Sequence, residues 1–113
     1  MKKNNIKLLG IAVVIIAIIL LINYVKSNGD HTEETYKCIA QNSILIVSKI
    51  CGHCANQKAL LGDYLDLFNL IDIQEHPEVW EQYDLIGVPT WVINNQTYPG
   101  VQSIDKLKQI TGC

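Results

Sequence analysis

The stretch Ser43–Ala55 reads SILIVSKICGHCA, and its two halves differ in kind. Ser43 to Ile50 is a short, β-branched apolar run, too brief for a helix, and is expected to be a strand buried on both faces. Cys51-Gly52-His53-Cys54 then opens a segment reaching about Asp66, in which Cys54, Leu61 and Leu65, with Leu60 and Tyr64 beside them, share one helical face. Gly62 weakens this helix without cancelling it.

The position of the two sulfurs decides their chemistry. A cysteine at the first turn of a helix faces unsatisfied N–H groups and the positive end of the dipole, which favour thiolate over thiol. The second, three residues on, falls on the same side within disulfide reach. Cys51 is therefore expected to be the exposed attacker and Cys54 the partly buried resolver. His53, between them, adds a donor or positive charge that stabilises the reduced form. Lys49 adds to this if its side chain turns the same way. A zinc site would need four ligands, and neither a second CxxC nor an H-x₃₋₅-H exists, so a site improvised from Cys38, His76 or Cys113 is disfavoured and no metal is expected. The c-type haem motif fails because position 55 is Ala55.

Outward from this unit, Tyr36 to Asn42 carries a weak helix signal and Asn69 to Ile73 a second short strand. Pro77, followed by Glu78 and Glu81, looks like a helix start, with its end near Asp84. Val88–Ile93 and Gln96–Tyr98 read as strands joined by a tight turn at Asn94-Asn95, and Pro99-Gly100 is expected to break the second. Ser103 is a suitable N-cap for a last helix with Ile104, Leu107 and Ile110 on one stripe and Gly112 as its stop. The order is βαβα followed by ββα, an α/β arrangement whose four-stranded mixed sheet carries helices on its faces.

The N-terminus is of another kind. Leu8–Val25 reads LLGIAVVIIAIILLINYV, long enough to span a bilayer. A cleaved signal peptide ending near Val25-Lys26-Ser27 is the alternative, but the apolar run is at the long limit for one and no A-x-A follows. The expected division is a cytoplasmic tail over 1–7, a transmembrane anchor over 8–25, a polar linker over 26–35 and a folded domain over 36–113. Lys2, Lys3 and Lys7 precede the span, whereas Lys26 is followed by Asp30, Glu33 and Glu34, so the domain is expected outside the cytoplasm, where disulfides persist. Beyond the span six lysines face eleven acids, with no arginine anywhere, which argues against nucleic acid as a partner.

With CxxC at a strand-to-helix turn and Tyr83-Asp84-Leu85-Ile86-Gly87-Val88-Pro89-Thr90 some 35 residues later, the sequence resembles the thioredoxin superfamily, whose members carry a cis-proline beside the cysteines. Pro89 matches that position. Cys51-Gly52-His53-Cys54-Ala55-Asn56-Gln57-Lys58, Gly87-Val88-Pro89-Thr90-Trp91 with Ile93-Asn94, and Tyr98-Pro99-Gly100-Val101-Gln102-Ser103 are similar to the thioredoxin-like domain fused to, or paired with, bacterial and archaeal vitamin K epoxide reductase homologues. The resemblance covers Ser43 to Cys113. It implies a thioredoxin-like three-layer fold, behind one transmembrane helix, that passes disulfides to secreted substrates and is reoxidised by a quinone-linked membrane partner. No four-helix quinone-binding domain occurs here, so that partner is expected on a separate chain.

Departures from the family pattern are specific. Ile50 stands where an aromatic usually precedes the first Cys, and Gly52 replaces the usual Pro, giving the CGHC of protein disulfide isomerase. The extra Cys pair of many members is missing between Ile73 and Pro89. Leu45 stands where thioredoxin has an acid, removing a proton acceptor for Cys54.

These features imply a membrane-anchored thiol:disulfide oxidoreductase, working as a monomer and without a cofactor on protein thiols, in the direction of disulfide formation. Cys51 and Cys54 are its catalytic pair, Gly52 and His53 support them, and Val88 and Pro89 receive the substrate backbone. Ile50 is a candidate apolar contact near the sulfurs, while Trp91 fits that role or the core. The alternatives are a reductase or isomerase using the same residues, or a copper- or zinc-handling CxxC module. Cys38 and Cys113 remain. In the inferred fold both lie at the pole away from the catalytic pair, either bridged, or as a buried thiol and a frayed end.

Overall fold

The run at Ser43–Ile50 condenses into a four-residue strand, β1 (Ile44–Val47), at the centre of the sheet. The structure is a computed structural model and describes residues 2–27 and 31–113. It divides into two compact units, Met1–Asp30 and His31–Cys113. In the first, a single helix α1 (Lys2–Ser27) runs without interruption through both the expected tail and the expected span. Nothing among the tail residues breaks a helix. Lys2–Val25 is long and apolar enough to cross a membrane. At about 1.5 Å per residue, such a helix exceeds the ~30 Å hydrocarbon core. The middle of the expected linker, residues 28–30, lies outside the described residues.

The second unit begins earlier than the linker boundary at 35 suggests. Helix α2 (Glu33–Gln41) starts within that stretch because Thr32 caps it, its Oγ1 accepting from Thr35 N at 3.4 Å, with Glu33 and Glu34 in the first turn. Helix α3 (Gly52–Leu61) ends five residues before Asp66, because Gly62 takes a positive φ of 55° and the chain continues as a 3₁₀ turn over Gly62–Leu67. Strand β2 (Asn69–Asp72) follows. Helix α4 (Val79–Gln82) is shorter than Pro77 to Asp84 would allow, since Pro77 and Glu78 are spent on its entry turn and Asp84 turns to φ 51°. Strands β3 (Thr90–Ile93) and β4 (Gln96–Pro99) form the hairpin, with Asn94 and Asn95 at φ 52° and 61°, and helix α5 (Ile104–Thr111) closes the unit. β4 ends at Pro99-Gly100 as expected, with Pro99 its last residue.

The sheet order is β2-β1-β3-β4, with β1 parallel to β2 and antiparallel to β3. Alternation along the strands separates two cores. Leu45, Val47, Trp91 and Ile93 face one way, against Tyr36 and Ile39 of α2, Cys54 and Leu61 of α3, and Ile104 and Leu107 of α5. Ile46 and Val92 face the other way, toward Val79 of α4. Three helices thus share one face, and α2 and α5 are neighbours on it. Their proximity brings Cys38 to Cys113, which are disulfide-bonded with Cα atoms 6.0 Å apart.

Candidate active site

From β1 the chain turns at Ser48, whose carbonyl accepts from Cys51 N at 3.3 Å while its Oγ accepts from Ile50 N at 3.4 Å. The turn delivers Cys51 to the N-cap of α3 with extended backbone, φ −97° and ψ 120°. Its sulfur does what a capping oxygen does elsewhere, accepting from Cys54 N at 3.1 Å. An N–H aimed at sulfur stabilises the thiolate more than the thiol.

Cys51 is half-buried and Cys54 has no exposed surface. Burial first, then the hydrogen bond with Cys51, pushes the Cys54 thiol up to about 11. The two sulfurs are therefore unlike in access, and burial holds Cys54 in the thiol form. A short iodoacetamide pulse on reduced protein at mildly acidic pH is expected to alkylate Cys51 and spare Cys54, read by mass spectrometry; equal labelling would contradict the assignment of attacker and resolver.

Across from the thiols lies the segment before β3. The Val88–Pro89 peptide bond is cis, and the Val88 carbonyl accepts from Cys51 Sγ at 3.5 Å. Thr90 Oγ1 donates to Gly87 O at 2.7 Å and Gly100 N to Pro89 O at 2.8 Å, so this segment is fastened from both sides. Neither contact is evident from motif spacing.

Other expected residues separate. Gly52 opens α3, and His53 follows it exposed, with no hydrogen bond to either sulfur among the described residues. Lys49 does not turn toward Cys51: its Nζ pairs with Glu75 Oε1 at 2.7 Å, since an acid 26 residues on lies within reach and the sulfur offers less. Trp91 is core, fully buried, edge-on to Phe68 at 5.7 Å, and donates its indole Nε1 to Gln57 Oε1 at 2.9 Å. Ile50, beside Cys51, is 84% exposed, and so is Ile86 in the loop before Pro89. Gln57 and Ile86 stand in the motif blocks, but the sequence gives neither a role. A buried tryptophan needs an acceptor for its N–H, and that was the available signal for Gln57. Among the described residues no three His, Cys, Asp or Glu side chains converge as metal ligands.

No family model matches the chain. Among solved structures, the NTD_N/C domain of the alkylhydroperoxide reductase AhpF from Enterococcus faecalis aligns with 74% of this chain at 17% identity and a TM-score of 0.50. The fold is thioredoxin-like. This chain spans 46%, about half, of that neighbour. The oxidised thioredoxin from Plasmodium falciparum aligns with 72% of this chain and 89% of its own, at 22% identity and a TM-score of 0.45. In the thioredoxin-like domain the strand-to-helix turn after β1 carries the thiols and the turn into β3 faces them.

Proposed function

We propose that the protein is a membrane-anchored thiol:disulfide oxidoreductase that forms disulfides in proteins outside the cytoplasm. The observation that carries the reading is the Cys51 sulfur, which accepts from Cys54 N and faces the Val88 carbonyl. In the oxidised enzyme a substrate thiolate attacks Cys51 Sγ, the Cys51–Cys54 bond breaks, and Cys54 leaves and takes up a proton. A second substrate thiolate then attacks the substrate sulfur of the mixed disulfide and expels Cys51 as thiolate. The substrate becomes disulfide-bonded, and the enzyme gains its two electrons.

A Cys54 pushed up to about 11 stays protonated at neutral pH. Its return attack on Cys51 is correspondingly slow, which leaves time for the second substrate thiol. The same property makes Cys54 a poorer leaving group and moderates the first step. The exposed Ile50 and Ile86 offer apolar contacts to an unfolded segment, and Val88 offers backbone hydrogen bonds to an extended one. The helix Lys2–Val25 suits an anchor, with the lysines inside. The proposed source of oxidising equivalents is a quinone-linked membrane protein related to vitamin K epoxide reductase.

Cys51 as the N-cap of α3 and an apolar Leu45 in the same core as Cys54 favour an oxidising pair, near the protein disulfide isomerase value of about −180 mV. Equilibration of the Cys51/Cys54 pair against glutathione measures it. A value at or below about −270 mV, that of thioredoxin, would sink the oxidase direction and leave a reductase.

A further inference from the structure

Gln57 is a neutral amide with no exposed surface, one turn beyond Cys54 on the buried face of α3. Burying such a group costs free energy unless it is bonded. Here it is bonded three times. Oε1 accepts from Trp91 Nε1 at 2.9 Å and from Gln102 N at 2.7 Å, and Nε2 donates to Gln102 O at 3.1 Å. A methionine or leucine would fill the same space, and one acceptor would satisfy the indole. The carboxamide instead reaches a loop 45 residues away.

That loop leads back to the thiols. Gln102 Nε2 donates to Pro99 O at 3.1 Å, and the adjacent Gly100 N donates to Pro89 O at 2.8 Å. Pro89 follows Val88, whose carbonyl accepts from Cys51 Sγ, and Cys51 Sγ in turn accepts from Cys54 N. One helical turn returns the path to Gln57. The contacts form a closed ring through the Cys51 sulfur, the backbone of Cys54, the segment facing them and a single buried carboxamide.

We propose that Gln57 is a positioning residue for thiol–disulfide exchange: its Oε1 holds the Gln102 loop, and with it the Val88–Pro89 segment, in fixed register with the Cys54 sulfur. The inference rests on the redox reading of Cys51 and Cys54. Its effect falls on one step. Attack by half-buried Cys51 on a small disulfide needs only access. Attack by buried Cys54 on Cys51 needs alignment along the sulfur–sulfur axis, and small misplacements are costly there.

Oxidised glutathione separates the two steps on the full chain in detergent, starting from the Cys51/Cys54 dithiol. Cys51 thiolate attacks one glutathione sulfur and releases one glutathione thiolate. Cys54, giving up its proton, then attacks Cys51 and releases the second, so the protein loses the two electrons that glutathione disulfide gains. Acid quenching and mass spectrometry count the mixed disulfide over time. Gln57→Met is expected to slow the second step by about ten-fold or more while leaving the first within about two-fold, so the mixed disulfide accumulates. Gln57→Glu, kept neutral by burial, retains an acceptor for both donors and an O–H donor for Gln102 O, and is expected to recover the second step to within about three-fold of the parent at mildly acidic pH. An unchanged second step in Gln57→Met, or equal slowing in both variants, overturns the proposal. A parent that forms no mixed disulfide at Cys51 defeats the redox reading itself, a distinct result. Should Gln57→Met not fold, the parent decides by NMR: the Gln57 carboxamide protons should exchange slowly with solvent and shift when Cys51 and Cys54 are oxidised, and indifference to oxidation overturns the proposal.

Discussion

Cys51→Ser is expected to lower disulfide transfer to a reduced model protein by ~10³-fold or more, the scale on which loss of a covalent nucleophile registers. Every electron in the proposed cycle passes through that sulfur, and a hydroxyl at the N-cap preserves the helix start while removing the chemistry. Cys54→Ser should behave differently. The first exchange remains, the resolving attack is lost, and covalent complexes joined through Cys51 accumulate and disappear on reduction. Turnover assays with non-reducing gels check both variants. Substantial activity in Cys51→Ser, or complexes that persist after reduction, would refute the assignment.

The second large effect concerns stability. The Cys38–Cys113 bridge joins positions 75 apart in sequence and ties α2 to α5 on the face where Tyr36, Ile39, Ile104 and Leu107 pack. In the chain-entropy account, closing a loop of that length stabilises the folded state by about 4 kcal/mol. The unit His31–Cys113 has a small core, for which such a sum is a large share of the total. Cys38→Ala/Cys113→Ala is therefore expected to lower the melting temperature by about 15–25 °C, followed by circular dichroism. A shift of only a few degrees would mean that α2 and α5 hold together without the bridge.

Legibility followed the range of the interactions. Locally encoded features could be read from sequence: the passage from apolar run to helical face at Cys51, the Asn94-Asn95 turn, and Ser103, whose Oγ accepts from Lys106 N at 3.1 Å. Gly112, read as the last helix's stop, takes φ 78°. What depended on distant partners was hidden. The direction of Lys49 is set by Glu75, and Gln57 looks like an unremarkable polar residue until Trp91 and Gln102 are brought to it. The state of Cys38 turned on which face α2 packs, and nothing within Glu33–Gln41 specifies that.

Pro99 has a bearing on solubility. Strand β4 is an edge of the sheet, and Gly100 N donates inward to Pro89 O, so its neighbour Pro99 directs its ring nitrogen and carbonyl toward the open side. The nitrogen carries no proton, and the carbonyl is occupied by Gln102 Nε2. At that position the edge offers a passing extended chain no donor, and its acceptor is already engaged by a side chain. The proposed traffic of extended substrates past the Cys51 sulfur requires that they not add themselves to the sheet, and this blunted end of β4 opposes such cross-strand growth.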